Sequence, residues 1–168
     1  MKYLILSDTH GRRDRLREIW QRHRDADGLV FLGDGVADLH AIEEISCPIY
    51  AVRGNCDIFS MQADAFCEEQ WMHMGEYTVL LMHGHRHGVK QNEETAAIYA
   101  ASRGADLLLF GHTHQPLERY YPQGELPNMK KPLYLFNPGS VGAPRNGAPS
   151  FGIIQTAGKQ ILLSHGSL

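Results

Sequence analysis

The stretch Leu107-Leu108-Leu109-Phe110-Gly111-His112-Thr113-His114 decides the fold. Its four apolar residues suit a buried parallel strand and are too few for a globular helix. A glycine ends the run, and two histidines separated by one residue follow. Ligands of open α/β sheets bind beyond the carboxyl ends of the strands. The His-x-His pair therefore predicts part of a metal site that other strands complete.

The first third of the chain repeats this pattern. Apolar runs at 3–7, 29–32 and 48–52 are typical of buried strands, and each precedes a polar loop that contains glycine. The amphipathic segment between the first two runs and the segment 36–45 are predicted helices. Right-handed crossovers would make the three strands parallel, so that their loops emerge at one edge of a sheet.

The rest of the chain alternates strand-like runs with one helical segment. Residues 69–74 and 77–82 predict a hairpin, and a helix is expected from the N-cap Asn92 to Gly104. Residues 58–66 show no clear period. Further strands are expected at 107–110, 117–121, 133–136, 151–155 and 160–163.

Composition and charge limit the class of protein. The chain has 168 residues, of which 43% are hydrophobic, and this predicts a single domain over 1–168. The formal net charge of −3 gives no general attraction to nucleic acid. Three cysteines without a Cys-x-x-Cys pattern favour a reducing compartment. No secretory leader and no membrane-length apolar run are recognisable, so a cytoplasmic location is expected.

Oxygen and nitrogen donors follow the ends of the predicted strands. The seven donors are Asp8, His10, Asp34, Asn55, His83, His112 and His114. Such a set suits borderline divalent ions, among them Mn, Fe and Zn. It exceeds what one tetrahedral ion needs. Two ions about 3.5 to 4 Å apart, sharing a carboxylate, would account for the number and can clamp both oxygens of a phosphoryl displacement.

The order and spacing of these motifs resemble a known family. The matching motifs are Asp8-x-His10, Gly33-Asp34, Gly54-Asn55, His83-Gly84-His85, Gly111-His112-Thr113-His114 and the closing segments Asn137-Pro138-Gly139-Ser140 and Pro144-Arg145. Together they resemble the calcineurin-like metallophosphoesterase superfamily. The short chain and the Gly-Asn-Cys-Asp variant at 54–57 resemble most its small bacterial and archaeal phosphodiesterases. The implied fold is α/β, a four-layer αββα sandwich of two mixed sheets flanked by helices.

The resemblance also implies a role for each donor. Asp8, His10 and His114 would hold one ion, Asn55, His83 and His112 the other, and Asp34 would bridge them. The cofactors would be two divalent ions, with Mn preferred and Fe, Zn or Ni as alternatives. A hydroxide that bridges the ions would attack phosphorus in line, with Asn55 neutralising charge on the phosphoryl oxygens. Thr113 would point away and hold the loop.

One departure from the family pattern bears on the substrate. Many members read Gly-Asn-His-Glu where this chain has Gly54-Asn55-Cys56-Asp57, so the histidine credited with protonating the leaving group is missing. This favours diesters or activated esters. His85 is the second catalytic candidate, as a substrate contact or proton donor, and Asp57 is a candidate for orienting a ligand histidine.

Simpler interpretations stay open beside these. Asp8 and Asp34 could serve only as helix N-caps, and Cys56 could be a packed thiol without redox function. The remaining histidines are interpreted as surface or packing residues. They are His23, His40, His73, His87 and His165.

Two other functions compete with a phosphodiesterase. A non-catalytic protein-binding scaffold, resembling the small subunit of the retromer coat, would not need an intact ligand set. A DNA repair nuclease would need capping domains and a basic groove, which the sequence does not indicate. The expected partner is a small-molecule phosphodiester substrate. Neither a stable complex with nucleic acid nor association with a membrane is expected, and a homo-oligomer is one option. Cyclic nucleotides, other nucleotide diesters and phospholipid-derived diesters all remain open.

Overall fold

Two five-stranded sheets form the fold of this computed structural model, which describes residues 1–61 and 63–168. In chain order the elements are β1 (Lys2–Leu6), α1 (Arg13–Arg22), β2 (Gly28–Phe31), β3 (Ile49–Ala51), β4 (Glu69–Met74), β5 (Tyr77–Met82), α2 (Glu94–Ser102), β6 (Leu107–Phe110), β7 (Pro116–Tyr121), β8 (Leu133–Pro138), β9 (Ser150–Ala157) and β10 (Gln160–Ser167).

Both sheets are mixed. The first has the order β10-β9-β1-β2-β3, in which β1, β2 and β3 are parallel and the β9–β10 hairpin is antiparallel to β1. The second has the order β4-β5-β6-β8-β7, with a parallel centre and antiparallel edge strands. The predicted parallel strands and both predicted hairpins are confirmed.

The sheets pack face to face, and a helix covers each outer face. Between the sheets lie residues such as Ile5 and Val30 from the first and Leu109 from the second, all fully buried. Burial of each such side chain contributes roughly 1.5–3 kcal/mol to folding. On the outside, α1 packs on the first sheet, and the alanine-rich α2 packs on the second. The four-layer αββα sandwich is confirmed.

The predicted helix over 36–45 is wrong in length. The structure has a 3₁₀ helix over Val36–Ala41, and Ile42 is already extended. The Arg17 guanidinium binds the carbonyl oxygen of Ala41 at 2.8 Å, which occupies an acceptor that a longer helix would need. The segment without a clear period contains two 3₁₀ turns, Asp57–Phe59 and Ala63–Ala65.

The predicted N-cap Asn92 is one residue too early, since α2 is Glu94–Ser102 and its N-cap is Glu93. The Asn92 side chain still accepts the N–H of Glu94 at 2.9 Å, so it caps the helix from just outside it. Among the described residues, the helices are all too short and polar to span a bilayer.

Candidate metal centre

All seven sequence-predicted donors lie in loops at the carboxyl ends of strands. Asp8 and His10 follow β1, Asp34 follows β2, Asn55 follows β3, His83 follows β5, and His112 and His114 follow β6. Because the two sheets pack face to face, loops from both sheets meet at one end of the sandwich. Six of the seven side chains form two clusters there.

The first cluster contains Asp8, His10 and His114. The Nε2 atom of His114 lies 3.1 Å from Asp8 Oδ1 and 3.2 Å from His10 Nε2. The other ring nitrogen of His114 donates to the carbonyl oxygen of Ala143 at 2.7 Å. That bond turns Nε2 inward and leaves its lone pair free to bind a cation.

The second cluster contains Asp34, His83 and His112. His83 Nε2 lies 3.4 Å from Asp34 Oδ2 and 3.2 Å from His112 Nδ1. His83 Nδ1 donates to the carbonyl oxygen of Leu32 at 2.6 Å, so its Nε2 is also directed inward. Each cluster therefore contains one imidazole whose orientation is fixed by a backbone carbonyl.

The two carboxylates connect the clusters. Asp8 Oδ1 lies 3.9 Å from His83 Nε2, and Asp34 Oδ2 lies 3.9 Å from His10 Nε2. Each aspartate is thus within 4 Å of a histidine of the opposite cluster. By these distances Asp8 and Asp34 each lie between the two clusters.

The donor set fits divalent cations. Asp8 Oδ1 and Asn55 Oδ1 are buried, and neither accepts a hydrogen bond in the described part of the chain. A buried acceptor without a partner costs about 1–3 kcal/mol, more when it is charged. Two pairs of imidazole nitrogens also face each other at 3.2 Å. Bound cations would satisfy these atoms together.

Cys56 enters the site beside Asn55. Its N–H donates to Asp34 Oδ1 at 2.7 Å, and Asn55 Nδ2 lies 3.3 Å from its sulfur. Its thiol shares a third cluster with His10 and Asp34, which sequence reasoning did not anticipate. Burial and the neighbouring Asp34 carboxylate raise the pKa of Cys56 to about 11, so the thiol is neutral near pH 7.

His85 stands beside the second cluster and belongs to none of the three ligand groups. Its ring centroid is 5.5 Å from that of His83 and 6.1 Å from that of His112. Its Nδ1 atom is buried and has no hydrogen-bond partner among the described residues. Burial and then the nearby His83 lower the pKa of His85, which favours the neutral ring.

The clustered groups shift one another's proton affinity. Burial favours a higher pKa for Asp34, but His83 and the Cys56 N–H outweigh it and hold the pKa below its usual value. Burial opposes charge on His83, yet the Asp34 and Asp8 carboxylates raise its pKa. Burial and then His83 lower the pKa of His112 to about 4.

The donor loops have unusual backbone conformations. Positive φ angles occur at Asp8 (53°), His10 (44°), Asp34 (57°), His112 (67°) and His114 (58°). Non-glycine residues rarely adopt this region, and each instance costs on the order of 1–3 kcal/mol. Such strain persists where the surroundings over-determine the loop and is concentrated at functional sites.

The Asp57 side chain holds the loops after β2 and β3 through their backbone N–H groups. Its Oδ2 accepts the N–H groups of Asp34 and Gly54, both at 2.8 Å, and its Oδ1 accepts those of Gly35 and Val36 at 2.7 and 3.0 Å. The expectation that Asp57 orients a ligand histidine is wrong, because backbone donors occupy both of its oxygens. The Leu32 and Ala143 carbonyls orient His83 and His114 instead.

The closing segment anchors the strand-end loops. Asn137 Nδ2 donates to the Gly111 carbonyl at 2.9 Å and to Thr113 Oγ1 at 3.0 Å, so Thr113 holds the loop as expected. Ser140 Oγ donates to the main-chain oxygen of Asp8 at 2.8 Å. The motif containing Asn137 and Ser140 was recognisable in the sequence, but its role was not.

Asp38 anchors the first loop and was missed by sequence reasoning. Its carboxylate accepts hydrogen bonds from Thr9 Oγ1 at 2.6 Å, the Gly11 N–H at 2.8 Å and Arg13 Nε at 2.9 Å. It follows no strand, so the strand-end signal could not have identified it.

Two glycines allow these loops to lie against the donors. A Cβ atom at Gly54 would lie 2.1 Å from Asp34 Oδ1, and one at Gly111 would lie 2.0 Å from Ser7 Oγ. No side chain fits in either space. Glycine at these two positions therefore lets the backbone come close to the Asp34 and Ser7 side chains.

Comparison with known proteins decides the family. A family model described as the calcineurin-like phosphoesterase superfamily domain matches residues 1–159. The chain belongs to this superfamily. Its members depend on metal ions, and the Asp/His clusters are groups that could bind them.

Relatives place the chain among small bacterial members of the superfamily. It is 34% identical over 146 residues to the probable metallophosphoesterase YsnB of Bacillus subtilis, covering 86% of this chain and 78% of that protein. It is 30% identical over a 177-residue alignment to phosphodiesterase YfcE of Escherichia coli, covering 92% and 87%. The resemblance to the small bacterial and archaeal phosphodiesterases is thus confirmed.

The fold extends to more distant proteins. Vps29 from Chaetomium thermophilum superposes with a TM-score of 0.78 at 18% identity, covering 100% of this chain and 87% of that chain. At this identity the likeness concerns the fold alone.

Proposed function

We propose that the chain is a metal-dependent phosphodiesterase with a centre for two divalent ions. The observation that carries this proposal is the pair of Asp/His clusters linked by Asp8 and Asp34. The sequence relationship to a protein named as a phosphodiesterase supports it. A small-molecule diester as substrate and a cytoplasmic location belong to the same proposal.

The first ion would be held by Asp8, His10 and His114, and the second by His83, His112 and Asn55. Asp34 would contribute to both. Bound divalent cations would supply positive charge beside the phosphoryl oxygens and would acidify water. Mn is the preferred ion, with Fe, Zn and Ni as alternatives, because this N/O donor set does not discriminate strongly among them.

The protein would contribute position and charge. The Leu32 and Ala143 carbonyls hold two imidazoles in one orientation before substrate binds. The Asn55 amide, next to Asp34 and Cys56, would donate to a phosphoryl oxygen. Preorganised donors of this kind lower the barrier because they need not reorient during the reaction.

The acid that assists the leaving group is weak in this site. Cys56 stands at the position of the family's histidine, and a thiol with a pKa of about 11 is a poor proton donor near neutrality. His85 is near, but its lowered pKa favours the neutral ring, so it would also be a weak proton donor. Both features favour esters whose leaving group departs with little protonation.

Metal analysis coupled to a single assay tests this function. The protein is stripped with chelator and titrated with Mn while hydrolysis of bis(4-nitrophenyl) phosphate is followed. We expect two equivalents of Mn to bind and turnover to appear with them. Failure to bind Mn, together with absence of turnover, would rule out the enzyme and leave the non-catalytic scaffold as the surviving prediction.

A further inference from the structure

A small cavity beside the proposed metal centre carries two cationic side chains. It has a volume of about 290 Å³ and is lined by Lys90, Thr113, His114 and Arg145. Lys90 comes from the loop after β5 and Arg145 from the loop after β8, and both residues are exposed. Since His114 also lines it, this cavity lies directly next to the first cluster, which contains Asp8, His10 and His114.

Neither cation is neutralised. In residues 1–61 and 63–168, no carboxylate lies within ion-pair distance of the Lys90 ammonium or the Arg145 guanidinium. Glu93 shares a neighbouring cavity with both cations. Its carboxylate binds Arg119 at 2.7 Å instead. Two positive charges therefore face this cavity without a partner.

The other polar groups of the cavity are already engaged. His114 directs Nδ1 to the Ala143 carbonyl and Nε2 toward Asp8. Thr113 Oγ1 accepts a hydrogen bond from Asn137. The free donors that a ligand would meet are therefore those of Lys90 and Arg145.

The position of Arg145 is fixed relative to the site. Its backbone N–H donates to the carbonyl oxygen of His114 at 3.1 Å, which ties the loop after β8 to the ligand loop. A guanidinium offers a planar set of donors that matches phosphate oxygens, and an ammonium adds a point charge. The pair has the chemistry of a phosphate-binding site.

We propose that Lys90 and Arg145 form a subsite for a second phosphate group, one that neighbours the phosphodiester held at the metal centre. This rests on the phosphodiesterase function proposed above and narrows its substrate class. The preferred substrates carry two adjacent phosphate groups, as in a nucleoside diphosphate diester. A diester with a single phosphate fills the metal centre and leaves the subsite empty.

A matched pair of substrates tests the subsite. The 4-nitrophenyl diester of AMP is compared with the 4-nitrophenyl diester of ADP, which differ by the second phosphate. In both, the bond from the terminal phosphorus to 4-nitrophenolate breaks, so the leaving group is the same. Lys90→Met and Arg145→Met should each lower kcat/KM for the diphosphate by about fivefold to tenfold, mainly through KM. For the monophosphate, both variants should stay within about twofold of the unmodified protein.

Control variants remove the same charges elsewhere. Lys159→Met lies in the β9–β10 turn and Arg24→Met after α1, both at the opposite end of the sandwich. Neither variant should change kcat/KM for either substrate. Because all four side chains are exposed, unchanged melting temperatures would show that each variant folds.

Equal losses on both substrates would overturn the subsite, because they would indicate general attraction of anions. If the unmodified protein hydrolyses neither compound, the phosphodiesterase proposal fails, and binding decides the subsite alone. For that case the non-hydrolysable methylene-bridged diphosphate is titrated by calorimetry with Mn-loaded protein. Binding weakened about fivefold or more in Lys90→Met and Arg145→Met supports the subsite, whereas unchanged binding refutes it.

Discussion

Asp57 Oδ2 accepts the backbone N–H of Asp34 at 2.8 Å, so the Asp57 carboxylate fixes the main chain that carries the Asp34 side chain. Asp57 is buried and also accepts three further N–H groups. The position of Asp34 between the two clusters therefore depends on a residue that is itself in neither cluster.

Replacing Asp57 with asparagine should damage stability and metal binding together. The amide NH₂ would face backbone donors, so we expect the free energy of unfolding to fall by about 3 kcal/mol. Mn affinity should fall roughly tenfold to 100-fold. Urea unfolding and Mn titration measure the two effects. Asp64→Asn, at a fully exposed carboxylate, should change neither the free energy of unfolding nor Mn affinity. If Asp57→Asn also changed neither quantity, the supporting role of Asp57 would be refuted.

Asp34→Asn tests the bridging assignment. The amide keeps the size of the side chain but removes the charge that would be shared between two ions. We expect loss of at least one equivalent of Mn and a fall in diester turnover of about 100-fold or more. Elemental analysis and the aryl diester assay report these losses. Asp14→Asn, at an exposed side chain of α1, is the matched control. Retention of two equivalents of Mn by Asp34→Asn would contradict the assignment.

Cys56→His restores the residue that many family members have at this position. An imidazolium is a stronger acid than a thiol of raised pKa and protonates a departing alkoxide more readily, so the ratio of alkyl monoester to aryl diester turnover should rise about tenfold or more. Glycerol phosphate, whose leaving group is an alkoxide, and bis(4-nitrophenyl) phosphate give this ratio. Cys67→His, at another exposed cysteine, should leave the ratio as it is. An unchanged ratio in Cys56→His would exclude the missing acid as the cause of diester preference.

The Cys56 thiol should be unreactive at neutral pH despite its exposure. Since its pKa is raised from 9.0 to about 11, the reactive thiolate accumulates only as the pH approaches 11. Alkylation of the metal-free protein, followed by mass spectrometry from pH 7 to 11, should show a rate that rises throughout this range. A rate that levels off by about pH 10 would indicate an ordinary thiol, whose pKa is 9.0.

The parallel strands and their donor loops were predictable because they leave local signals. Continuous apolar runs mark buried strands, and Gly33-Asp34 or Gly111-His112 mark their ends. The face-to-face packing of two sheets came from family resemblance alone, since periodicity describes one segment at a time. The end of the 3₁₀ helix at Ala41 depends on Arg17, a contact between segments that no local pattern encodes.

Within the site, the donors were predictable and their supports were not. The Leu32 and Ala143 carbonyls orient His83 and His114, and every residue has a carbonyl. Asp38 and Asp57 act through backbone N–H groups brought close only by folding. Roles of this kind become visible once the loops are placed in three dimensions.

The left-handed backbone at the donors restricts what can replace them. Asn, Asp and His are the side chains that enter this region most readily, whereas β-branched residues are outliers there. Backbone conformation as well as ligand chemistry therefore limits which residues fit at Asp8, His10, Asp34, His112 and His114. A drift toward a metal-free descendant of this fold should therefore pass through asparagine or glycine before valine or isoleucine.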